Sequence, residues 1–254
     1  IAVENNRGIT LAVGAEAKKM IGKAPKNISV VRPLQDGVIS DFDRTADMLR
    51  IFIERAVSAK KFRKFRVVVG VPSGVTEVEK RAVEEVVRQM GASEVYILEE
   101  PMAAAIGAGL PVDGSIACMI ADIGGGTTDI AIIALGGIVA SSSIRHAGDR
   151  FNDAIIQYMR KRHALLIGER TAEELKINIG AACLDLDEEG NEIVKTMDAS
   201  GRDIISGLPR TIEITSRDIM IALQESMDII VDGVKTTIEK APPEIAADIA
   251  KNGM

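Results

Sequence analysis

One stretch in the first half of the sequence restricts the fold more than any other. Phe65–Val71, which reads FRVVVGV, is a largely apolar run of the kind found in strands buried on both faces. Thr76 and Glu79 have the spacing of a capping box that opens a helix, and a second apolar run follows at residues 95–98. A strand, a helix and a strand in this order predict a right-handed βαβ unit with parallel strands, and therefore an α/β protein.

The sequence on either side of this unit predicts further helices and strands. Asp43 is a candidate N-cap of an amphipathic helix, and Ser216 is a candidate N-cap of a long helix that ends near Lys240. Short strands are predicted over residues 116–121, 130–135, 138–143 and 211–215. Asp185–Gly190 imitates the start of a calcium-binding loop, but Thr196 stands where that loop needs a glutamate. An acidic hairpin tip is the better interpretation.

Composition excludes several classes of function. The net charge of −6 argues against nucleic acid as the main partner, because a surface that tracks phosphates needs an excess of lysine and arginine. The two cysteines, Cys118 and Cys183, form no CxxC motif and have no histidine at ligand spacing, which predicts a reducing compartment and no zinc site. No apolar run approaches the roughly 18 residues needed to span a bilayer.

The motif ADIGGGTTD occupies residues 121–129, between the first two of the short strands. Glycine has no Cβ, so the backbone N–H groups of such a turn can approach an anion and form a concave nest. Asp122, at the end of the preceding strand, can hold Mg²⁺ through water molecules. The motif is neither a P-loop nor a dinucleotide fingerprint, because no GK[ST] follows and the turn leads into a strand. On the residues alone, a phosphate nest and a glycine-rich turn without a ligand are equally good interpretations.

Seven further segments join this motif in a resemblance to a known family. They are RPLQDGVISDF (32–42), VVVGVPSGVTEVEKRAV (67–83), LEEPMAAAIGAGLPV (98–112), SSSIRHAGDRFNDAI (141–155), IGERTAEELK (167–176), SGLPR (206–210) and APPEIAADIAKNGM (241–254). Together they make the chain similar to the actin, Hsp70 and sugar-kinase superfamily and, within it, to the MreB family of bacterial actin homologues. The resemblance implies an α/β, actin-like ATPase fold of two lobes with ribonuclease-H-like mixed sheets.

The resemblance also implies a division of the chain. Lobe I has a small subdomain at residues 1–32 and a core at 33–114, and lobe II has a core at 115–163 with 217–254 and a small subdomain at 164–216. The family's first phosphate hairpin, DLGTANT, and its adenosine segment, TGGG, are expected before Ile1 and after Met254. We therefore expect the fold to be incomplete at both termini and the chain by itself to bind ATP poorly.

The family's site residues carry over onto matching positions. Asp122 matches the aspartate that orients magnesium, Glu100 the glutamate that positions the attacking water, and Thr127 the threonine that assists it. The residues implied to bind ATP are Asp122, Gly124, Gly125, Gly126, Thr127, Thr128, Glu173, Glu174, Leu175 and Lys176. The family normally has arginine where this chain has Glu174, which leaves the role of Glu174 open. On the residues alone, Glu100 is also a candidate capping carboxylate for the helix that begins at Pro101.

The function implied is that of a slow, Mg²⁺-dependent ATPase that assembles with itself into antiparallel double filaments. Such filaments lie in the cytoplasm at the inner face of the cell membrane, organise cell-wall elongation proteins and maintain rod shape. The implied membrane contact is a loop at Phe62 with its cations Lys60, Lys61, Arg63 and Lys64, for which a solvated loop is the alternative interpretation. An Hsp70-type chaperone ATPase would need a substrate-binding domain, and a sugar or acetate kinase a catalytic acid that faces an acceptor pocket. The sequence identifies neither.

Overall fold

The computed structural model describes residues 1–56 and 65–254, which divide into two compact units. The first unit contains residues 1–122, 129–145 and 237–254, and the second contains residues 123–128 and 146–236. The four-part division of the chain stays a prediction.

Helices and strands alternate along the chain. The strands are β1 (Ala2–Glu4), β2 (Ile9–Ala12), β3 (Ile28–Val30), β4 (Leu34–Gln35), β5 (Val38–Ile39), β6 (Phe65–Val71), β7 (Ala92–Glu99), β8 (Cys118–Ile123), β9 (Thr128–Ala134), β10 (Gly137–Ile144), β11 (Leu165–Leu166), β12 (Thr196–Asp203) and β13 (Pro209–Thr215). The helices are α1 (Ala15–Lys18), α2 (Phe42–Ala56), α3 (Glu77–Gln89), α4 (Glu100–Gly107), α5 (Gly148–His163), α6 (Glu169–Ile179), α7 (Ser216–Glu239) and α8 (Pro243–Asn252).

The first unit contains the predicted βαβ unit. Strands β6 and β7 pair in parallel, with Val67 opposite Val95. Helix α3 connects them and begins with the predicted capping box, in which Thr76 Oγ1 accepts a hydrogen bond from Glu79 N at 3.2 Å and Glu79 Oε2 accepts one from Thr76 N at 2.7 Å. Both predictions are confirmed.

A second sheet of the first unit carries the strands that flank the glycine motif. Its order is β10–β9–β8, which confirms the three predicted strands with shifts of about two residues at their ends. All seven residues of the central strand β9 are buried. Because β9 is held along its whole length, the residues at its start, Thr128 and Asp129, have fixed positions.

The second unit is built around the sheet β11–β12–β13, against which α5 and α6 lie. Its core contains Ile155, Met159, Leu165, Ile214 and Ile219. The sequence pattern did not predict β12, because its residues TMDASGRD are largely polar and only Ala199 and Asp203 among them are buried. The strand forms because its backbone pairs with β13 along seven positions.

Two predicted N-caps are wrong by one or two residues. Helix α2 begins at Phe42, and the oxygen that accepts the N–H of Arg44, at 3.0 Å, belongs to Asp41 and not to Asp43. At α7, Thr215 Oγ1 accepts the N–H of Asp218 at 3.2 Å, whereas Ser216 Oγ accepts the N–H of Lys195. In both cases a second polar residue lies within two positions of the true cap, and only the path of the backbone decides between them.

The acidic segment at residues 184–194 forms a tight turn with a single bridge between Leu186 and Glu192. Asp187 Oδ1 accepts the N–H groups of Glu189 at 2.9 Å and Asn191 at 2.8 Å. These bonds, with that of Asn191 contributing most, lower the pKa of Asp187. The carboxylate therefore closes its own turn, as expected of an acidic tip.

The segment predicted to contact the membrane, Phe62 with Lys60, Lys61, Arg63 and Lys64, lies outside the described residues. Within residues 1–56 and 65–254, no helix has the length and apolar character needed to cross a bilayer.

The corrected cap of α2 gives a testable prediction. Asp41→Ala removes the acceptor for the N–H of Arg44 and should lower the free energy of unfolding by about 1 kcal/mol. Asp43→Ala is the matched control, because it removes only an exposed carboxylate from the first turn and should cost about 0.5 kcal/mol or less. Urea denaturation measures both, and a larger loss for Asp43→Ala would contradict the assignment.

Candidate functional site

The glycine turn joins β8 to β9 and is closed by one backbone hydrogen bond. Gly124 N donates to Thr127 O at 2.9 Å, and this bond leaves Gly124 and Gly125 exposed to solvent. The two threonines that follow are buried, and Thr128 Oγ1 donates to His146 O at 2.8 Å. The turn therefore has a fixed conformation with exposed glycine backbone, as a phosphate nest requires.

The N-terminus of α5 lies directly against this turn. Gly148 N donates to Gly124 O at 3.1 Å, and Asp149 N donates to Gly125 O at 2.8 Å. A Cβ on Gly148 would lie 3.2 Å from Gly124 O and 3.3 Å from Lys176 Nζ. The absence of a side chain at this position is therefore what allows the helix and the turn to approach each other. Gly148 lies within the segment SSSIRHAGDRFNDAI but is not among the predicted site residues.

Lys176 is the predicted site residue that the structure brings to the turn. Its Nζ donates to Gly148 O at 2.8 Å, which places an ammonium group beside the turn's glycines. A Cβ added to Gly125 would meet no atom within 4 Å, so there is open space next to this glycine. Exposed backbone, a neighbouring cation and open space together fit an anionic group such as a phosphate.

The other predicted residues of α6 have different surroundings. Leu175 is fully buried in the core of the second unit, so only its backbone is available to a ligand. Glu174 Oε1 accepts a hydrogen bond from Arg170 Nε at 2.8 Å, one helical turn earlier. The negative charge of Glu174, where the family normally has arginine, is therefore balanced by Arg170 within α6. Glu173 lies on the same helix, and its predicted role stays a prediction.

In the first unit, two carboxylates lie close enough to Glu100 to act on its carboxyl group. Glu100, the first residue of α4, is half-buried, and burial raises the pKa of its carboxyl above the ordinary value. The negative charges of Asp129 and Asp122 raise the same pKa further. Asp129 is buried, and its Oδ1 accepts the N–H of Ser73 at 3.0 Å. The group has excess negative charge and would be stabilised by a cation.

The raised pKa of Glu100 argues against a capping role. A carboxylate that caps a helix N-terminus is stabilised in its charged form, so its pKa falls. Glu100 shows the opposite direction, with burial as the largest cause. The chain also makes room for this side chain at Gly70 on β6, where a Cβ would lie 3.2 Å from Glu100 Cγ. These observations favour a functional role over a capping role for Glu100.

Asp129 and Gly70 were not among the predicted site residues. Asp129 ends the motif ADIGGGTTD, so its position in the motif was the signal that could have identified it. Gly70 carried no such signal, because a glycine within an apolar strand is explained equally well by close packing.

A magnesium ion fits the chemistry of these carboxylates only through water. Within residues 1–56 and 65–254, no group of three histidine, cysteine, aspartate or glutamate side chains could hold a metal ion directly. Asp122 is the next-to-last residue of β8, and its charge is one of those that raise the pKa of Glu100. An oxygen ligand in negative surroundings suits a hydrated divalent cation.

Fold and local geometry together define the class. A glycine turn between two strands, a carboxylate at the end of the first strand and a βαβ unit followed by a glutamate make this an actin-like α/β protein. The chain belongs to the MreB/Mbl family, because the family model described as MreB/Mbl protein matches residues 1–254. The predicted family and fold class are confirmed.

Individual relatives agree with this assignment. The chain is 49% identical over 259 residues to the cell shape-determining protein MreB of Haemophilus influenzae, with 100% of this chain and 73% of that protein covered. It is 45% identical over 254 residues to the cell shape-determining protein Mbl of Bacillus subtilis, with 100% and 74% covered. Among solved structures, MreB5 of Spiroplasma citri bound to AMPPNP matches with a TM-score of 0.92 and 40% identity, covering 100% of this chain and 74% of that one. These matches favour the bacterial actin-like cytoskeleton over the chaperone and kinase alternatives.

The raised pKa of Glu100 predicts a pH-dependent stability. Because the folded state disfavours the charged carboxylate, Glu100→Gln should increase the free energy of unfolding at neutral pH. The difference between the two proteins should shrink as the pH falls through the raised pKa and vanish below the ordinary value of 4.5. Thermal unfolding of both proteins across this pH range is the measurement. A variant that is less stable than the parent at neutral pH would contradict the predicted environment of Glu100.

Proposed function

We propose that this protein is an ATP-binding, self-assembling cytoskeletal protein that maintains rod cell shape by organising cell-wall elongation. The observation that carries the proposal is the glycine turn held against the N-terminus of α5, with Lys176 beside it. The names of its relatives, which are cell shape-determining proteins, support the biological role. The AMPPNP bound to MreB5 of Spiroplasma citri supports a nucleotide as the ligand.

The turn supplies the phosphate contacts. Backbone N–H groups of Gly125, Gly126 and Thr127 face the phosphates, and the Thr128 hydroxyl fixes the turn by its bond to His146 O. Lys176 adds positive charge next to Gly148, and Glu173 with the backbone of Leu175 lies toward the nucleoside. Glu174 is not a ligand in this proposal, because its carboxylate is paired with Arg170.

The carboxylates of the first unit supply the hydrolytic part. Asp122 holds Mg²⁺ through water, and the metal when bound offsets the charge on the phosphate oxygens. Glu100 accepts a hydrogen bond from the attacking water and orients it. Asp129 keeps the surroundings of Glu100 negative, so that the carboxylate remains a good acceptor. Because such orientation contributes only part of the rate enhancement, hydrolysis is slow.

Assembly and location complete the proposal. The protein associates with further copies of itself into paired antiparallel filaments, which lie at the inner face of the cell membrane and recruit cell-wall elongation proteins. The segment with Phe62 and its flanking cations provides one contact with the membrane, as its composition favours.

Adding a methyl group to Gly148 tests whether its close contact with the turn matters for ATP binding. Gly148→Ala places a Cβ 3.2 Å from Gly124 O and should force the turn and helix apart, which should weaken ATP binding by about tenfold or more. Gly168→Ala is the matched control, because a Cβ there meets no atom within 4 Å and should leave the affinity unchanged. Titration with a fluorescent ATP analogue measures both affinities. Equal affinities for the two variants would remove the turn from the nucleotide site.

The variant Glu100→Gln tests whether ATP hydrolysis can be lost while filament assembly is kept. The variant keeps the shape of the side chain but weakens its hold on the water, so phosphate release should fall by about a hundredfold while ATP binding persists. Electron microscopy with ATP on an anionic lipid layer should show paired filaments for both the parent and the variant. Glu99→Gln, the neighbouring carboxylate, is the control and should release phosphate at the parent's rate. Unchanged hydrolysis in Glu100→Gln, or ATP binding without filaments, would contradict the corresponding part of the proposal.

A further inference from the structure

His146 contacts the glycine turn through its backbone. Its carbonyl oxygen accepts the hydrogen bond from Thr128 Oγ1 at 2.8 Å, and Thr128 is fully buried. Two residues further along the chain, Gly148 N donates to Gly124 O at 3.1 Å. Ala147, which lies between these two contacts, is also fully buried. The position of the His146 backbone is therefore coupled to the conformation of the turn.

The imidazole ring of His146 lies where one of its nitrogens has no polar partner. Nε2 is buried and, within the part of the chain that the structure describes, forms no hydrogen bond. The ring of Phe151 is a neighbour, with the two ring centroids 6.2 Å apart and the planes inclined by 54°. A charged imidazole carries a hydrogen on both nitrogens, and each hydrogen then needs an acceptor. The surroundings of the ring therefore suit its neutral form.

Charged groups from the neighbouring helices act on this ring. Burial is the largest influence, followed by the positive charge of Arg150 on α5, and both lower the pKa of His146 below the ordinary value of 6.5. Glu225 on α7 acts in the opposite direction but does not offset them. Lys176 of α6, which donates to Gly148 O, is a further cation close to this segment. The balance of charge therefore also favours the neutral ring.

We propose that His146 is a positioning residue of the phosphate turn, and that its protonation releases the turn and so weakens nucleotide binding in acid. The inference rests on the nucleotide site proposed above and adds the regulation of that site by pH. A charged ring is disfavoured beside Phe151 without an acceptor for Nε2, so protonation selects conformations in which the ring has left this site. The backbone of His146 moves with its ring, and the bond from Thr128 Oγ1 is lost.

The pH range of this effect follows from the lowered pKa of His146. Because the ordered turn requires the neutral ring, the contribution of His146 to the turn is complete above pH 6.5. It decreases as the pH falls below that value and is lost below the lowered pKa. Nucleotide affinity is therefore expected to decrease in the same range.

An alternative effect of a charged ring is direct attraction to the phosphates, which predicts tighter binding in acid. The geometry favours release of the turn, because the contact of His146 with the turn is made by its backbone oxygen. Its Nε2 is buried and makes no hydrogen bond to any described residue. The two effects have opposite signs, so one measurement of affinity against pH separates them.

Proton NMR of the imidazole rings measures the coupling directly, because the chain contains only two histidines. His163→Gln removes one ring signal and so assigns that of His146. In the protein without nucleotide, the pKa of His146 should lie below 6.5, and Thr128→Val should return it toward that value. Thr211→Val, on β13, is the matched control and should leave the pKa unchanged.

The same NMR titration with saturating ATP and Mg²⁺ tests the link to the nucleotide. If protonation weakens nucleotide binding, the bound nucleotide must in turn oppose protonation, because such coupling is reciprocal. The pKa of His146 should therefore fall further when ATP is bound. Direct attraction between the ring and the phosphates would raise it.

Titration with a fluorescent ATP analogue at about pH 7.5 and about pH 5.5 measures the consequence for affinity. Relative to His146→Gln, whose side chain does not titrate, the parent should lose about fivefold or more in affinity between these two conditions. Protonation of the nucleotide's own phosphates affects both proteins alike and cancels in this comparison. His146→Phe, which keeps a ring beside Phe151, is a second variant, and His163→Gln is the control that should keep the parent's pH dependence.

Three outcomes would overturn the inference. They are a pKa of His146 at or above 6.5 in the free protein, a pKa that is unchanged or raised by bound ATP, and a pH dependence of affinity that is equal in the parent and in both His146 variants. The first outcome is measured without nucleotide. A failure of the proposed nucleotide site is distinguishable from all three, because it would appear as a parent that does not bind ATP at neutral pH.

Discussion

The two hydrogen bonds from the start of α5 to the glycine turn are the constraint on which the site in the second unit depends. Gly148 N and Asp149 N, whose positions in a helix leave them without intrahelical partners, donate to the carbonyls of Gly124 and Gly125. The turn is therefore held by the helix, and the helix terminus is satisfied by the turn. A Cβ on Gly148 would lie 3.2 Å from Gly124 O, so the close approach of helix and turn depends on Gly148, and Lys176 adds a further contact through Gly148 O.

In the first unit, the main constraint is that the carboxylates of Asp122 and Asp129 lie near that of Glu100. Burial and the charges of Asp129 and Asp122 disfavour the ionised form of Glu100, which is a cost to the folded protein at neutral pH. Buried polar groups in such a cluster are retained where they serve a function. Asp129 is stabilised by the N–H of Ser73, and Gly70 gives Glu100 the room it occupies. A cationic ligand, as proposed above, would offset the cost of the neighbouring negative charges.

Much of this architecture was predictable from local patterns. The βαβ unit, the capping box at Thr76 and the short strands around the glycine motif are encoded within short segments, since periodicity and capping act over a few residues. The polar strand β12 was not predicted, because its pairing with β13 and not its own composition forms it. The caps of α2 and α7 were misassigned for a related reason, since neighbouring polar residues can each cap a helix and the backbone path selects one.

The sequence by itself determined the family, the glycine turn and most of the helices and strands around it, and it proposed a set of candidate residues for a nucleotide site. The tertiary structure alone decided which distant residues meet: Asp129 with Ser73 and near Glu100, Lys176 with Gly148, and Ile204 with Ala164. The physical reason is that propensity and capping depend on neighbours along the chain. Electrostatic environment and exposure depend on packing between segments that are tens of residues apart.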